Sequence, residues 1–278
     1  MIISIASGKG GTGKTTVATS LALSINSGIQ LLDCDVEEPN AHIFLKPKIQ
    51  QSKTVYIPVP KIDESKCTFC GRCAEVCTYN ALAVLKEKVL TFPHLCHGCG
   101  GCNLFCPQKA ITEGDKKIGV VEIGNSSHVQ FVHGRLNIGE VMSPPLIRAV
   151  KEYINPTRSV IVDAPPGTSC PVIESVKGSD FCILVTEPTP FGLNDLILAV
   201  EVLKKLTIPF GIAVNRADIG DSSLDDYCEK ENIPILMRIP FKKKIAFAYS
   251  KGLALVSEFP EYKKEFIRVY KEISERIR

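Results

Sequence analysis

Gly8-Lys9-Gly10-Gly11-Thr12-Gly13-Lys14-Thr15 follows the apolar run Ile2–Ala6 and leads into a helical pattern over Lys14–Ile25. The stretch fits G-x-x-x-x-G-K-[ST] after a strand and before a helix, the context the motif requires. Its glycines let successive backbone N–H groups turn toward phosphate oxygens, and the helix N-terminus near Lys14 adds its dipole. Gly8, Gly10, Gly11, Thr12 and Gly13 are therefore expected to cradle a nucleotide's phosphates. Lys14 is expected at the β- and γ-phosphates, the Thr15 hydroxyl on Mg²⁺, and Thr16 at the α-phosphate.

The same strand-then-helix rhythm continues outward. Apolar runs at Ile29–Leu32, Gly119–Ile123, Val129–Val132, Val160–Val162, Cys182–Val185 and Phe210–Val214 read as buried strands. Helical patterns lie between or after them at Pro144–Ile154, Leu193–Leu206, Ser222–Glu231 and Phe259–Arg278. Such alternation predicts an α/β fold with a mostly parallel sheet and helices on both faces. The stretch Lys61–Ile111 breaks the rhythm, shows no strong strand run, and holds eight of the twelve cysteines. The expected organisation is a discontinuous phosphate-loop domain, 1–59 and 113–278, with an inserted domain at 60–112.

The chain has 278 residues, 45% hydrophobic and 23% charged, with a net charge of +3. That charge is too mild to argue for a nucleic-acid partner, and the densest basic run, Lys242-Lys243-Lys244, reads as a solvated helix start. Met1 leads straight into the first strand, nothing resembles a signal peptide, and no apolar run approaches the roughly 18–20 residues that span a bilayer. The expected compartment is cytoplasmic, where thiols stay reduced and cysteines serve metals rather than disulfides. The last helix carries Tyr262, Phe266, Ile267, Tyr270, Ile273 and Ile277 at ordinary core spacing, so it is expected on the sheet rather than on a membrane.

The cysteines form two runs, Cys67-x-x-Cys70-x-x-Cys73-x-x-x-Cys77 and Cys96-x-x-Cys99-x-x-Cys102-x-x-x-Cys106, each position recurring 29 residues later. Asn80-Ala81-Leu82 recurs as Lys109-Ala110-Ile111 at the same offset. This duplicated unit resembles the bacterial two-cluster ferredoxins. The resemblance implies two [4Fe–4S] clusters with crossed fourth ligands. One would use Cys67, Cys70, Cys73 and Cys106, the other Cys96, Cys99, Cys102 and Cys77. A pair of zinc sites is the alternative, but it explains neither the crossing nor the repeat. The second run ends in Cys106-Pro107, the first in Cys77-Thr78. His94 and His97 flank Cys96 as spare ligands, proton carriers or plain surface residues.

Lys9 sharpens the reading of the phosphate loop. A second lysine at this point resembles the deviant loop Lys-Gly-Gly-x-Gly-Lys-Thr of the MinD/ParA/nitrogenase iron protein family. In that family the first lysine reaches the nucleotide of a partner subunit, stabilising the transition state as an arginine finger does. The resemblance extends to Leu32-Asp33-Cys34-Asp35, where Asp35 takes the catalytic role and Asp33 a supporting one. It extends also to Val162-Asp163-Ala164-Pro165-Pro166-Gly167-Thr168, with Asp163 holding a Mg²⁺-bound water and the Gly167 N–H turning toward the γ-phosphate. Val214-Asn215-Arg216 resembles the adenine-binding motif, and the Ile239-Pro240-Phe241 segment touches the base, Pro240 through its backbone. Lys242 stands where the family pattern has an aspartate. Cys170 lies where the nitrogenase iron protein has a cluster ligand, but Gly134–Pro145 supplies no second cysteine, so a buried thiol is expected there. Cys34, Cys182 and Cys228 read as structural.

The resemblance implies Mg²⁺-dependent ATP hydrolysis in a head-to-head dimer, of two copies or of this chain with a paralogue, and ATP/ADP, Mg²⁺ and two [4Fe–4S] clusters as cofactors. The first functional expectation is nucleotide-gated electron transfer to a redox partner. The alternatives are an Mrp-type cluster assembly or carrier ATPase, delivering to an acceptor protein, and a MinD-like positioning ATPase. Membrane binding is disfavoured.

Overall fold

The computed structural model describes residues 1–26 and 28–277. Arg278, the last residue of the expected terminal helix, lies outside the described residues. The chain begins with β1 (Ile2–Ala6), α1 (Lys14–Ser24), β2 (Ile29–Asp33) and α2 (Ala41–Leu45). It continues through β3 (Lys48–Ile62), α3 (Arg72–Glu75), β4 (Leu82–Leu85), β5 (Lys88–Thr91), α4 (Gly101–Leu104), β6 (Ile111–Ser126) and β7 (Val129–Leu136). Then follow α5 (Pro144–Lys151), β8 (Ser159–Asp163), α6 (Cys170–Val176), β9 (Phe181–Thr186), α7 (Pro190–Lys205) and β10 (Phe210–Asn215). The chain closes with α8 (Ser223–Lys230), β11 (Ile235–Ile239), α9 (Lys243–Ser250), α10 (Leu255–Glu258) and α11 (Glu261–Ile277).

Nine strands form one sheet in the order β11-β10-β9-β1-β8-β2-β7-β6-β3. Every pairing from β11 to β7 is parallel, and only β6 runs against its neighbours. The mostly parallel α/β expectation holds. Alternation along each strand divides its side chains between two covered faces. Ile29 and Leu31 join Ile161, Phe131 and α11's Phe266 on one face, while Leu32 joins Val160, Val162 and α5's Leu146 and Ile147 on the other. Helix α1 packs on the first of these faces and against α11, with Ala18 and Ala22 among its buried residues. Thr19 and Ser24, both buried, turn their hydroxyls back to the Thr15 and Ser20 carbonyls at 2.7 Å each. Among the described residues no helix is long and apolar enough to cross a membrane.

Four strands were not expected from the pattern: β3, β4, β5 and β11. β3 is the edge of the sheet, mostly exposed over Lys48–Lys53, and carries Pro58 and Pro60. An edge strand needs no N–H on its outer side, so polar residues and prolines are tolerated there and hide the strand from a hydrophobicity reading. β6 begins eight residues before the expected Gly119, because Ile111–Ile118 pairs only with β3 and alternates poorly. Lys61–Ile111, expected to show no strong strand run, carries the short β4–β5 hairpin, in which Leu82↔Thr91 through Leu85↔Lys88 form a two-stranded sheet.

The β3–β6 pair is a ribbon that outruns the main sheet. Gly119 is the last β6 residue paired to β7, opposite Leu136, whereas pairing with β3 continues to Ile62↔Ile111. The excess lies beyond the carboxyl ends of the parallel strands, and it carries the cysteine-bearing segment. The expected boundaries at 60 and 112 fall inside this ribbon.

Candidate functional site

The loop from Ser7 to Gly13 leaves β1 and wraps into α1. Gly8 must be glycine because a side chain there would run into the Asp195 backbone of α7, and Gly13 sits at φ 98° against Asn215. The Ser7 hydroxyl closes the loop on the Lys9 carbonyl at 2.6 Å. Asn215 donates from Nδ2 to the Thr12 carbonyl at 2.8 Å and accepts the Arg216 N–H at 3.0 Å. It therefore props the phosphate loop from the end of β10, and one donor and one acceptor of its amide remain for a base.

An open cleft of about 1290 Å³, its open mouth included, lies over this loop. Gly10, Gly11, Gly13, Lys14, Thr15, Thr16 and Asp35 line one end; Asn215, Arg216, Pro240, Phe241, Ile245 and Tyr249 line the other. Gly8, Thr12 and Asp163 support it from beneath rather than line it. Glu38, Asn40, Ile245 and Tyr249 are lining residues that the motifs did not single out, because they come from α9 and from the chain after β2 through tertiary packing.

Three carboxylates meet near Lys14. Asp33 and Asp163 are register partners across β2 and β8, both fully buried. Asp33 is committed to structure: it accepts the Asp35, Asn40 and Ala41 N–H groups at 3.1, 3.1 and 3.0 Å, fixing the turn into α2. Both Asp163 oxygens lack a hydrogen-bond partner. The Thr15 hydroxyl and Lys14 ammonium lie near enough to favour its charge without satisfying it, and burial dominates, raising the Asp163 pKa. Burial likewise pushes Asp35 up to about 6 and lowers Lys14. A buried, unpartnered carboxylate beside a threonine hydroxyl at the end of a phosphate loop fits a hydrated Mg²⁺ ion. Lys9 lies 3.9 Å from Glu187, which also pairs with Arg216 at 3.0 Å. Glu187, at the carboxyl end of β9, was missed; its signal was its position just past a parallel strand, where such folds place ligand contacts.

The cysteines gather around two separate cavities at the end of the ribbon. Cys67, Cys70, Cys73 and Cys106 line one, and Cys77, Cys96, Cys99 and Cys102 line the other, of about 360 and 450 Å³ with their open mouths included. Each cavity thus draws three cysteines from one run and the fourth from the other. The 29-residue repeat is visible in the backbone. Phe69 and Gly98 share positive φ (54° and 67°), as do Gly71 and Gly100 (82° and 72°) and Asn80 and Lys109 (52° and 49°). Sulfur acceptors match as well: Phe69 and Gly98 N–H point to Cys67 and Cys96 Sγ at 3.4 Å, and Ala81 and Ala110 N–H to Cys77 and Cys106 Sγ at 3.3 Å. Among the described residues no three His, Cys, Asp or Glu side chains close on a single-ion site. Four thiols around each of two cavities, with N–H groups aimed at sulfur, fit cubane clusters.

His97 stacks on Tyr79 with centroids 3.4 Å apart and lines the second cavity, whereas His94 packs edge-on to Phe92. Cys170 is exposed at the first residue of α6, not buried as expected, because the helix buries Val172, Ser175 and Val176 and Cys170 stands off that face. Cys34, Cys182 and Cys228 are buried, as expected of structural thiols.

Residues 3–256 match the CobQ/CobB/MinD/ParA nucleotide-binding domain, and the chain belongs to that family of P-loop nucleotide-binding proteins. It is 33% identical over 257 residues to the uncharacterized protein MJ0579 of Methanocaldococcus jannaschii, covering 91% of this chain and 90% of that one. It is 25% identical to an iron-sulfur cluster carrier protein of Rickettsia bellii, across 96% of this chain and 69% of the relative. In fold it resembles the Mg-ADP complex of the septum site-determining protein MinD from Pyrococcus horikoshii, with a TM-score of 0.60, 20% identity, and 98% and 95% of the two chains covered.

Proposed function

We propose that this protein is a Mg²⁺-dependent ATPase that holds two [4Fe–4S] clusters in the domain at 60–112 and couples nucleotide state to them. The observation that carries this reading is the crossed arrangement of eight cysteines around two cavities, at the end of a ribbon leaving the nucleotide end of the sheet. Cys67, Cys70, Cys73 and Cys106 would hold one cluster and Cys77, Cys96, Cys99 and Cys102 the other; a bound cluster supplies one-electron chemistry. The chain's own contribution is N–H donation to four of the sulfurs, which sets donors on two of the four ligands of each cavity.

At the nucleotide, Lys14 and the loop N–H groups neutralise phosphate charge, Thr15 and Asp163 hold Mg²⁺, and Asp35 orients the attacking water. Lys9 acts on the nucleotide of a partner subunit, either a second copy or a paralogue. In the single chain it rests near Glu187, so its charge is held close to the site it would leave. The cleft's open end, with Asn215, Arg216 and Pro240, takes the adenine. The proposed setting is cytoplasmic.

Four thiols per cavity favour resident redox centres and hence nucleotide-gated electron transfer. The relatives named as iron-sulfur cluster carriers favour a second reading, in which clusters are cargo passed to an acceptor protein. Anaerobic reconstitution should load about eight irons and eight sulfides per chain. Incubation with an apo-acceptor and ATP then separates the readings: retention with reversible reduction supports electron transfer, and rapid ATP-dependent loss to the acceptor supports carriage. Loading of only one iron or zinc per cavity would overturn both.

A further inference from the structure

The two cysteine repeats are tied to the rest of the molecule differently. Lys116 lies on β6 where the ribbon parts from β7, opposite Ile57 in register. Its ammonium donates to the Pro93 carbonyl at 2.9 Å and to the Glu140 carboxylate at 2.6 Å. The ion pair is well covered, with side-chain exposures of 20% and 6%. The Pro93 carbonyl also accepts the Cys96 N–H at 3.3 Å. Lys116 therefore grips the carbonyl that sets the backbone of the first cysteine in the second run.

The equivalent turn in the first repeat is closed from within. The Asp63 carbonyl accepts the Cys67 N–H at 3.1 Å, and its carboxylate takes the Ser65 hydroxyl at 2.6 Å and pairs with Lys66 at 2.9 Å. Among the described residues no side chain of the main sheet bonds to that turn. Phe92 stands where Asp63 stands in the first repeat, so the second turn has lost its internal clasp and gained an external one.

Beyond Glu140 the contacts run to the nucleotide loop. Glu140 belongs to the loop 137–143, which is also held to the ribbon by the Asn137 N–H on the Ile118 carbonyl at 2.8 Å and its side-chain amide on the Lys117 carbonyl at 3.2 Å. The loop feeds α5, which is fastened to α6 by Arg148–Glu174 at 3.1 Å and by Lys151 on the Glu174, Ser175 and Lys177 carbonyls at 2.7, 3.0 and 2.6 Å. α6 follows directly on Asp163–Thr168, whose Gly167 N–H bonds the Ser7 carbonyl in the phosphate loop at 3.0 Å.

We infer that Lys116 is a positioning residue that transmits the nucleotide state to the cavity of Cys77, Cys96, Cys99 and Cys102, through Glu140, α5 and α6, and leaves the other cavity outside this route. The inference rests on the nucleotide reading of the phosphate loop but does not require that the cavities be filled. Coupling along this path requires its two ends to respond together.

Hydrogen exchange of the full chain, with and without Mg-ATPγS, reads each segment separately. In the natural protein, residues 8–16 should gain protection, 137–143 and 93–100 should change together, and 64–71 should not respond. In Lys116→Met the response at 8–16 and 137–143 should persist while that at 93–100 shrinks roughly tenfold, the scale of one lost charged hydrogen bond. Lys116→Arg should restore it. Glu140→Gln, which leaves the Pro93 contact in place, guards against misfolding of the first variant and should weaken the response in the same direction. Equal responses at 93–100 in the natural protein and both variants would overturn the inference, as would no response there when 8–16 is protected. No protection at 8–16 would instead contradict the nucleotide reading itself, and the inference with it.

Discussion

Asp163 brings both carboxylate oxygens into the protein with no partner for either, a cost the fold bears only if something else completes the site. Replacing it with asparagine should therefore have opposite effects on stability and activity. Calorimetry of the metal-free protein should show Asp163→Asn melting above the natural chain, since an uncompensated buried charge is removed. Hydrolysis should fall by roughly 100-fold or more, with ADP still bound. The two melting curves should also separate with pH. The folded pKa of Asp163 is raised, so between its unfolded value near 3.8 and its folded value the native state holds a proton that the unfolded chain has released. Stability from this group is thus present at low pH and lost as pH rises. Asp35 adds a loss of the same sign between about pH 4 and about pH 6, in both proteins alike. The gap between Asp163→Asn and the natural protein should therefore widen from pH 4 upward in the absence of Mg²⁺, and a constant gap would contradict the account. Lys14 and Asp163 were legible in the sequence because local backbone context dictates their motifs. Glu187, Lys116 and Glu140 were not, because each acts only through a neighbour far away in the chain.

At the scale of elements, the buried parallel strands β1, β2, β7, β8, β9 and β10 announced themselves as apolar runs, and each of those runs is present, whereas the parallel β11 did not. The ribbon did not. β3 and the first half of β6 are solvated, and Pro58 and Pro60 sit on an edge where their missing N–H groups cost nothing, so hydrophobic periodicity had nothing to report. The duplication, by contrast, was legible to the residue, since an offset of 29 in cysteines reappears as matched positive φ at three pairs of positions. Helix α6 was also unannounced, being seven residues long and dependent on α5. Lys151 caps its C-terminal carbonyls with three hydrogen bonds, which complement the negative end of the helix dipole. Lys151→Met keeps the aliphatic stem and removes those bonds. Urea unfolding should show a loss of about 1–3 kcal/mol, and a change under a few tenths would show that water replaces the ammonium without penalty.

Across the whole molecule, the nucleotide cleft and the cysteine-bearing ribbon lie at one end of the sheet, the carboxyl end of its parallel strands. A partner subunit docking on that end would meet both Lys9 and the cysteine domain. Lys9→Ala should lower hydrolysis by about 10³-fold or more if this lysine acts in the manner of an arginine finger, while single-chain ADP affinity, read by calorimetric titration, stays within a few fold. Unchanged hydrolysis would remove the dimeric mechanism. In the proposed mechanism the nucleotide state reaches the cavity of Cys77, Cys96, Cys99 and Cys102, and electron paramagnetic resonance of the reduced, reconstituted protein reads that coupling. Addition of Mg-ATPγS should change the spectrum or midpoint potential of the centre held by Cys77, Cys96, Cys99 and Cys102; identical spectra and potentials at saturating nucleotide would contradict it.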